Sequence, residues 1–186
     1  LVKQLATEGV SVIACARRAD LLEDLANQIQ SQGGICIPVS GDITSESTRR
    51  EIIDVCNREF GGLDILINNA GIGAMGRFDE SETARIRQVF EVNFFAVAEM
   101  IRDSLPSLKQ GSSPIIVNMS SVLAHRATPL KSEYCASKFA LHGFSDAIRA
   151  ELTNDEIDLL LVSPSTTDSE FFDHAIEDTT GKNWKT

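Results

Sequence analysis

Tyr134 and Lys138 lie four residues apart, within residues 133–152, whose pattern predicts a helix. Side chains at positions i and i+4 of a helix share one face, so we expect the phenol and the ammonium to be neighbours. A free tyrosine has a pKa of about 10 and is a poor acid or base at neutral pH. A nearby ammonium favours the phenolate, so the pair predicts acid–base chemistry with a lowered tyrosine pKa. The alternative interpretation is that both side chains lie on a solvated helix face and have no catalytic role.

Helical and strand-like segments alternate along the chain, and the strands are continuous apolar runs of the kind found in buried parallel sheets. This order predicts a doubly wound, Rossmann-like α/β fold with a parallel sheet in three layers, and a single domain over residues 1–186. Strands are expected over residues 10–16, 35–39, 63–68, 114–119 and 157–162. Helices are expected over residues 1–8, 19–32, 45–60, 82–104 and 133–152.

Small and polar residues directly follow the predicted strands. The carboxyl ends of parallel strands share one edge of a sheet, where such folds bind their ligands. These positions are Arg17, Asp42, Asn69-Ala70-Gly71, Ser121 and Pro164. We therefore expect them to line a binding crevice.

The overall composition excludes several classes of partner. A formal net charge of −10 without a basic patch argues against a nucleic-acid or anionic membrane partner. No apolar run reaches membrane-spanning length. The four cysteines are widely spaced and the three histidines lack metal-ligand spacing. Reduced thiols in a cytoplasmic protein without a metal site are therefore expected.

Several spaced motifs together resemble the short-chain dehydrogenase/reductase family, in its single-domain oxidoreductase branch. Asn68-Asn69-Ala70-Gly71 follows a strand, as the corresponding motif does in that family. Asn93 lies in the next helix, and Ser121 precedes Tyr134 by thirteen residues. The resemblance covers nearly the whole chain and places these motifs in the family's order.

The resemblance implies NADP(H)- or NAD(H)-dependent interconversion of a small carbonyl compound and a secondary alcohol. Its catalytic set would be Asn93, Ser121, Tyr134 and Lys138. Tyr134 would be the general acid or base, and Ser121 would orient the substrate oxygen. Lys138 would lower the tyrosine pKa and bind the nicotinamide ribose, and Asn93 would hold a water in a proton relay.

The residues after the second strand of the family pattern indicate which cofactor is preferred. An NAD-preferring enzyme would carry an acidic residue there, but this chain has Arg17 and Arg18. Arginine suits a 2′-phosphate, so NADP(H) is predicted with Arg17 as the main contact; an ordinary surface pair is the alternative. The resemblance adds further cofactor-binding positions: Asp42, Ile43, Asn69, Ala70, Gly71, Tyr134, Lys138, Pro164 and Thr167.

Residues 71–76 satisfy the pattern G-x-G-x-x-G, but we do not interpret them as a phosphate loop. A dinucleotide fingerprint opens a helix directly, within the first strand–helix–strand unit. Here residues 77–80 intervene before the helix expected from residue 82. The segment instead resembles the family's loop beside the nicotinamide.

The resemblance also implies segments beyond both ends of this sequence. The family's first strand and its glycine-rich pyrophosphate loop would precede Leu1, and a last strand would follow Thr186. A specificity loop would begin near Phe171 and pass Trp184, as an apolar lid or as ordinary packing residues.

Two other functions remain open from the sequence. One is a catalytically silent dinucleotide-binding or regulatory relative, and the other is an epimerase or dehydratase with the same Tyr-x-x-x-Lys pair. The complete Ser121, Tyr134 and Lys138 set favours an oxidoreductase. The helices at 82–104 and 133–152 carry small and apolar residues. The resemblance implies that such helices pack between subunits, so a homodimer or homotetramer is expected.

Overall fold

The computed structural model describes residues 1–165, 171 and 175–177. In chain order its elements are α1 Val2–Thr7, β1 Val12–Ala16, α2 Ala19–Ser31, β2 Cys36–Ser40, α3 Glu46–Phe60, β3 Ile65–Asn68, β4 Ala74–Met75, α4 Thr83–Phe90, α5 Ala96–Leu108, β5 Ile115–Met119, α6 Ser132–Leu152, β6 Asp158–Val162 and β7 Ile176–Glu177. A π-helical turn, Glu91–Phe95, joins α4 to α5. The chain divides into two units, Leu1–Leu63 and Asp64–Thr186.

The first unit is built on a parallel pair of strands. β1 pairs with β2 in a register that places Val12 opposite Cys36 and Ala16 opposite Ser40. Apolar side chains of α1, α2 and both strands form its core: Ala6, Ala14, Leu22, Ala26, Ile29 and Cys36. Pro38 lies inside β2 and lacks an N–H, which suits a strand at the edge of a sheet.

The second unit contains a three-stranded parallel sheet in the order β3-β5-β6. Asn68 lies opposite Asn118, and Met119 opposite Val162, so the strands end at neighbouring positions. Helix α5 packs on β3 and β5, and α6 packs on β6 and α4. Its core includes fully buried Val89, Leu108, Ile116 and Leu141. Parallel strands flanked by helices confirm the predicted type of architecture.

The long helix predicted over residues 82–104 differs from the observed structure in two ways. The π-helical turn at Glu91–Phe95 interrupts it, and α5 continues through Pro106 to Leu108. Proline loses only one intrahelical hydrogen bond, and buried Ser107 and Leu108 anchor the last turn. Tertiary packing therefore outweighs the local signal for a helix end.

A short parallel strand pair was not predicted. Ala74 of β4 pairs with Ile176 of β7, and the Ile176 amide donates to the Gly73 carbonyl at 2.9 Å. The G-x-G-x-x-G segment thus leads into a strand and not into a helix, which agrees with rejecting it as a phosphate loop. Within the residues that the structure describes, no helix combines the length and apolar character that crossing a bilayer needs.

Candidate active site

The second unit brings the four predicted catalytic residues together. Asn93 is fully buried, and Lys138, Ser121 and Tyr134 are 5%, 8% and 9% exposed. Ser121 follows the end of β5, Tyr134 and Lys138 lie on α6, and Asn93 lies in the π-helical turn. Buried polar side chains from three elements are therefore concentrated where the sequence predicted a site.

The Ser121 side chain lies near enough to the Tyr134 hydroxyl to lower the pKa of Tyr134, as expected of a pair that would share a substrate oxygen. The Ser121 Oγ also accepts from the Leu123 amide at 3.1 Å and caps the following 3₁₀ turn. The Val122 amide donates to the Pro164 carbonyl at 3.0 Å. These bonds fix the serine between the ends of β5 and β6.

Lys138 extends from α6 towards the end of β5. Its Nζ donates to the Met119 carbonyl at 2.8 Å and lies 5.9 Å from the centre of the Tyr134 ring. Burial lowers the pKa of Lys138 from 10.5 to about 8. At pH 7 the side chain is still mostly protonated, so it remains a cationic donor beside the tyrosine.

The predicted lowering of the Tyr134 pKa is wrong for this structure, where burial dominates and raises it. The Ser121 side chain opposes that rise in pKa only in part. Desolvation disfavours the phenolate, so Tyr134 is a neutral hydroxyl at physiological pH.

Asn93 holds the glycine-rich loop against helix α6. Its Oδ1 accepts from the Ile72 amide at 2.8 Å, while its Nδ2 donates to the Ile72 carbonyl and to Ser137 Oγ, both at 3.0 Å. Ser137 Oγ in turn donates to the Tyr134 carbonyl at 2.7 Å. Both Nδ2 hydrogens are used, so a relay water on this side chain would need the second lone pair of Oδ1.

The Asn-Asn-Ala-Gly segment combines a buried and an exposed part. Asn68 Nδ2 donates to Asn118 Oδ1 at 2.8 Å, and Asn118 Nδ2 donates to Ser145 Oγ at 2.9 Å. This buried chain joins β3, β5 and α6. Asn69 and Ala70 are exposed, as residues that line a cofactor site should be.

Gly71 packs closely against two predicted catalytic side chains. A Cβ on Gly71 would lie 3.3 Å from Asn93 Oδ1 and 3.8 Å from Lys138 Nζ. A larger residue would therefore crowd both. This spatial role was not recognised from the pattern of glycines alone.

Phe171 covers Tyr134 from one side. The two rings meet edge to face with centroids 5.7 Å apart. A Cβ on Gly73 would lie 3.2 Å from the Phe171 ring, so the glycine makes room for it. Phe171 is therefore an apolar neighbour of the site, whereas Thr167, Phe172 and Trp184 lie outside the described residues.

The predicted adenosine-side residues belong to the first unit. Arg17 and Arg18 are exposed after β1, and Asp42 and Ile43 follow β2. Asp42 Oδ1 accepts from the Thr44 amide at 2.9 Å and from Thr44 Oγ1 at 2.8 Å. The hydrogen bond from the Thr44 amide is the main cause that lowers the pKa of Asp42, and the positive charge of Arg17 lowers it further. Arg17 and Asp42 therefore lie near each other.

Arg49 supports that loop from beneath, and no sequence pattern predicted this role. Arg49 is 5% exposed, and its Nη1 donates to the carbonyls of Ile43 and Thr44 at 3.1 and 3.0 Å. Arg50 is exposed and pairs with Glu46 one turn away. A sequence pattern cannot say which of two adjacent arginines is buried.

Replacing Arg49 by methionine should lower the free energy of unfolding by about 2 kcal/mol, because two carbonyls lose a charged donor. The matched Arg50→Met change should cost less than about 1 kcal/mol, as exposed ion pairs contribute little. Denaturant unfolding of both variants measures the difference. Equal losses would contradict the anchoring role of Arg49.

Comparison with known proteins gives the family. The profile described as short chain dehydrogenase matches residues 1–180. A short chain dehydrogenase of Pseudocercospora fijiensis is 35% identical over 170 residues, which are 90% of this chain and 55% of that protein. The ketoacyl reductase HetN of a Nostoc species is 31% identical over 164 residues, 88% of this chain and 57% of that protein. The chain therefore spans somewhat more than half of these relatives.

Solved structures agree with that result. A short chain dehydrogenase/reductase from Burkholderia phymatum in complex with NAD has a TM-score of 0.89 at 27% identity, over 93% of this chain and 63% of that one. An alcohol dehydrogenase from Thermococcus sibiricus complexed with 5-hydroxy-NADP has a TM-score of 0.86 at 24% identity, over 94% and 74%. These neighbours confirm the doubly wound, Rossmann-like α/β/α fold class.

The chain belongs to the short-chain dehydrogenase family. The resemblance inferred from its motifs is thereby confirmed.

Proposed function

We propose that the protein containing this chain is an NADP(H)-dependent oxidoreductase that interconverts a small carbonyl compound and a secondary alcohol. The observation that carries this proposal is the cluster of buried Tyr134, Ser121 and Lys138 side chains, with Lys138 Nζ 5.9 Å from the centre of the Tyr134 ring. A substrate oxygen bound beside Tyr134 and Ser121 would meet one acidic donor, the tyrosine hydroxyl, and one orienting donor, the serine hydroxyl. A catalytically silent relative would not need two donors placed at one substrate oxygen.

Tyr134 would deliver the proton to the substrate oxygen in the reducing direction. Burial raises its pKa, so the hydroxyl is protonated at neutral pH, the form that a general acid needs. Ser121 would donate a hydrogen bond to the same oxygen and so stabilise the negative charge that develops there. In the oxidising direction Tyr134 must first lose its proton, so alcohol oxidation should be favoured at higher pH.

Lys138 and Asn93 would support this proton transfer. The Lys138 ammonium lies beside Tyr134 and can stabilise the phenolate after the proton has left. Asn93 ties Ile72 to Ser137, and Ser137 binds the Tyr134 carbonyl, so the loop and the helix keep their spacing. A water on the remaining Asn93 lone pair could return the proton from solvent.

A nicotinamide cofactor would lie beside the Gly71 loop and Lys138. The Lys138 ammonium, which lies close to the backbone at Gly71, could bind a ribose hydroxyl. The bound cofactor would supply the hydride. In the first unit, Asp42 and Ile43 would contact the adenine, and Arg17 with Arg18 would hold the 2′-phosphate. Asn69, Ala70, Pro164 and Thr167 complete the proposed cofactor-binding set.

Replacing Arg17 by alanine should raise the KM for NADPH by about 10-fold or more and leave the KM for NADH nearly unchanged. The guanidinium would contact only the 2′-phosphate, which NADH lacks. Steady-state kinetics of the full-length enzyme with both cofactors measures the ratio. Arg50→Ala, another exposed arginine of the same unit, is the control. An equal preference for both cofactors in the wild type would refute the role of Arg17.

A carbonyl screen tests the proposed function itself. The full-length protein is incubated with NADPH and a panel of aldehydes and ketones, and the loss of NADPH absorbance is followed. We expect turnover with at least one compound. A protein that binds NADPH tightly but turns over no carbonyl compound or alcohol would instead be the silent regulatory relative.

The proposal extends to assembly and location. Phe95 and Phe139 are 47% and 44% exposed near the start of α5 and on α6, which supports a homodimer or homotetramer. The mass of the protein in solution tests this. Within the part of the chain that the structure describes, no cysteine is joined in a disulfide, which supports a reducing, cytoplasmic location.

A further inference from the structure

A buried ion pair lies directly beside the proposed acid. Arg85 of α4 and Glu133 of α6 are 6% and 1% exposed, and Arg85 Nη2 and Nε donate to Glu133 Oε1 at 2.6 and 3.0 Å. Glu133 precedes Tyr134 in the chain. Burial opposes ionisation of this carboxyl, but its hydrogen bonds, chiefly from Arg85, outweigh that effect and lower its pKa. The pair is therefore charged at neutral pH.

The pair joins three elements around Tyr134. Glu133 also accepts from Ser81 Oγ at 3.2 Å and from Ser132 Oγ at 2.8 Å. Arg85 Nη1 donates to the Met75 carbonyl in β4 at 3.3 Å. Helix α4, strand β4 and the start of α6 are thus held to one another by one charged cluster.

The first turn of α6 needs such an anchor. Tyr134 is the third residue of α6, and the N-cap residue Lys131 makes no side-chain capping hydrogen bond. Uncapped first turns fray, because their amides lack intrahelical partners. A side chain that is fixed to α4 and lies next to Tyr134 would suppress that fraying where a catalytic hydroxyl must stay in place.

Stability alone does not explain a buried ion pair. The cost of removing two charges from water often exceeds their attraction, and well-packed apolar residues at such positions are frequently as stable. A planar guanidinium that makes several directed bonds, however, defines an orientation that apolar packing does not. The bond from Arg85 to β4 also bears on the position of Tyr134, because Tyr134 and Met75 line the same small cavity.

We propose that Arg85 and Glu133 are positioning residues, which hold the Tyr134 hydroxyl in register with the Met75 strand for proton transfer. This inference rests on the proposed acid role of Tyr134. Neither residue touches the reacting atoms; both act through the start of α6 and through β4. The expected consequence is a loss of kcat at nearly constant cofactor affinity.

The test uses the full-length enzyme with a carbonyl substrate identified by the screen. We expect Glu133→Gln and Arg85→Met to lower kcat by about 10- to 100-fold, the size of effect that small misplacements cause. The Kd for NADPH, measured by fluorescence titration, should change less than about 2-fold. Arg85→Lys keeps the charge but not the fork of donors, so it should not restore kcat.

Two controls separate positioning from general destabilisation. Val89→Ala removes a fully buried side chain from the same helix but none of the charged groups of the cluster, and its kcat should stay near wild type. Should the single variants fail to fold, the double variant Arg85→Met with Glu133→Leu removes both charges and keeps the volume. We expect this double variant to fold with a low kcat.

Several results would overturn the proposal. Folded single variants with the kcat of the wild type would do so, as would full activity in the double variant. An equal loss of kcat in Val89→Ala would show that stability alone is at work. Tyr134→Phe is measured in parallel: if it retains turnover, the acid role of Tyr134 is the part that fails. If it is inactive while the Glu133 variants are not, only the positioning role fails.

Discussion

Replacing Tyr134 by phenylalanine is expected to lower kcat/KM for carbonyl reduction by about 10²- to 10⁴-fold, the usual contribution of a general acid. Phenylalanine keeps the ring that packs against Phe171 and removes only the hydroxyl. The Kd for NADPH should therefore change little, and the thermal midpoint should remain close to that of the wild type. Single-turnover and steady-state absorbance assays of the full-length enzyme measure the loss.

The ionisation of Tyr134 provides an independent check. These 186 residues contain one tyrosine, so the ultraviolet titration difference between the wild type and Tyr134→Phe reports on its phenol. Its midpoint should lie above that of a free tyrosine, because burial raises the pKa of Tyr134. A midpoint well below that of a free tyrosine would contradict the neutral acid. Turnover retained in Tyr134→Phe would remove the acid role altogether.

Replacing Lys138 by methionine should lower kcat by about 100-fold or more. The same replacement should also change how the free energy of unfolding depends on pH. Burial lowers the pKa of Lys138 from 10.5 to about 8. Between these two values the unfolded chain holds a proton that the folded chain has lost. The free energy of unfolding of the wild type therefore rises with pH across that window.

The size of this effect follows from the same shift. Below about pH 8 the lysine is protonated in both states and burial of its charge costs about 3 kcal/mol relative to pH 10.5. Methionine has no charge to bury, so the difference in unfolding free energy between wild type and Lys138→Met should change by about 3 kcal/mol across the window. Lys109→Met, at an exposed lysine, should run parallel to the wild type. Parallel curves for Lys138→Met would contradict the lowered pKa.

Local patterns were enough to predict most of the elements. The helix expected over residues 133–152 is observed at Ser132–Leu152, and the strand expected over 114–119 at Ile115–Met119. Periodicity of 3.6 residues and continuous apolar runs reflect which side chains face the core, and both can be recognised within a single segment of the sequence. The family and the alternating order of elements follow from the same local information.

Long-range contacts could not be read in the same way. Arg85 and Glu133 are 48 positions apart, and neither has a neighbour that marks it as buried. Strand β4 has two residues and depends on β7 for its hydrogen bonds, so it is too short for a hydrophobic periodicity to predict it. Arg49 and Arg50 differ only in the direction in which α3 projects them.

The Tyr134–Lys138 pair shows which properties of a site the sequence determines and which depend on the tertiary structure. Their types and spacing in the sequence determined that a phenol and an ammonium share one face of a helix, close to Ser121 at a strand end. Only the tertiary structure decided their protonation and hydrogen bonding. It buries the tyrosine and raises the pKa of Tyr134, and it directs the ammonium to the Met119 carbonyl. Desolvation depends on everything packed around a group, and that environment is assembled from distant parts of the chain.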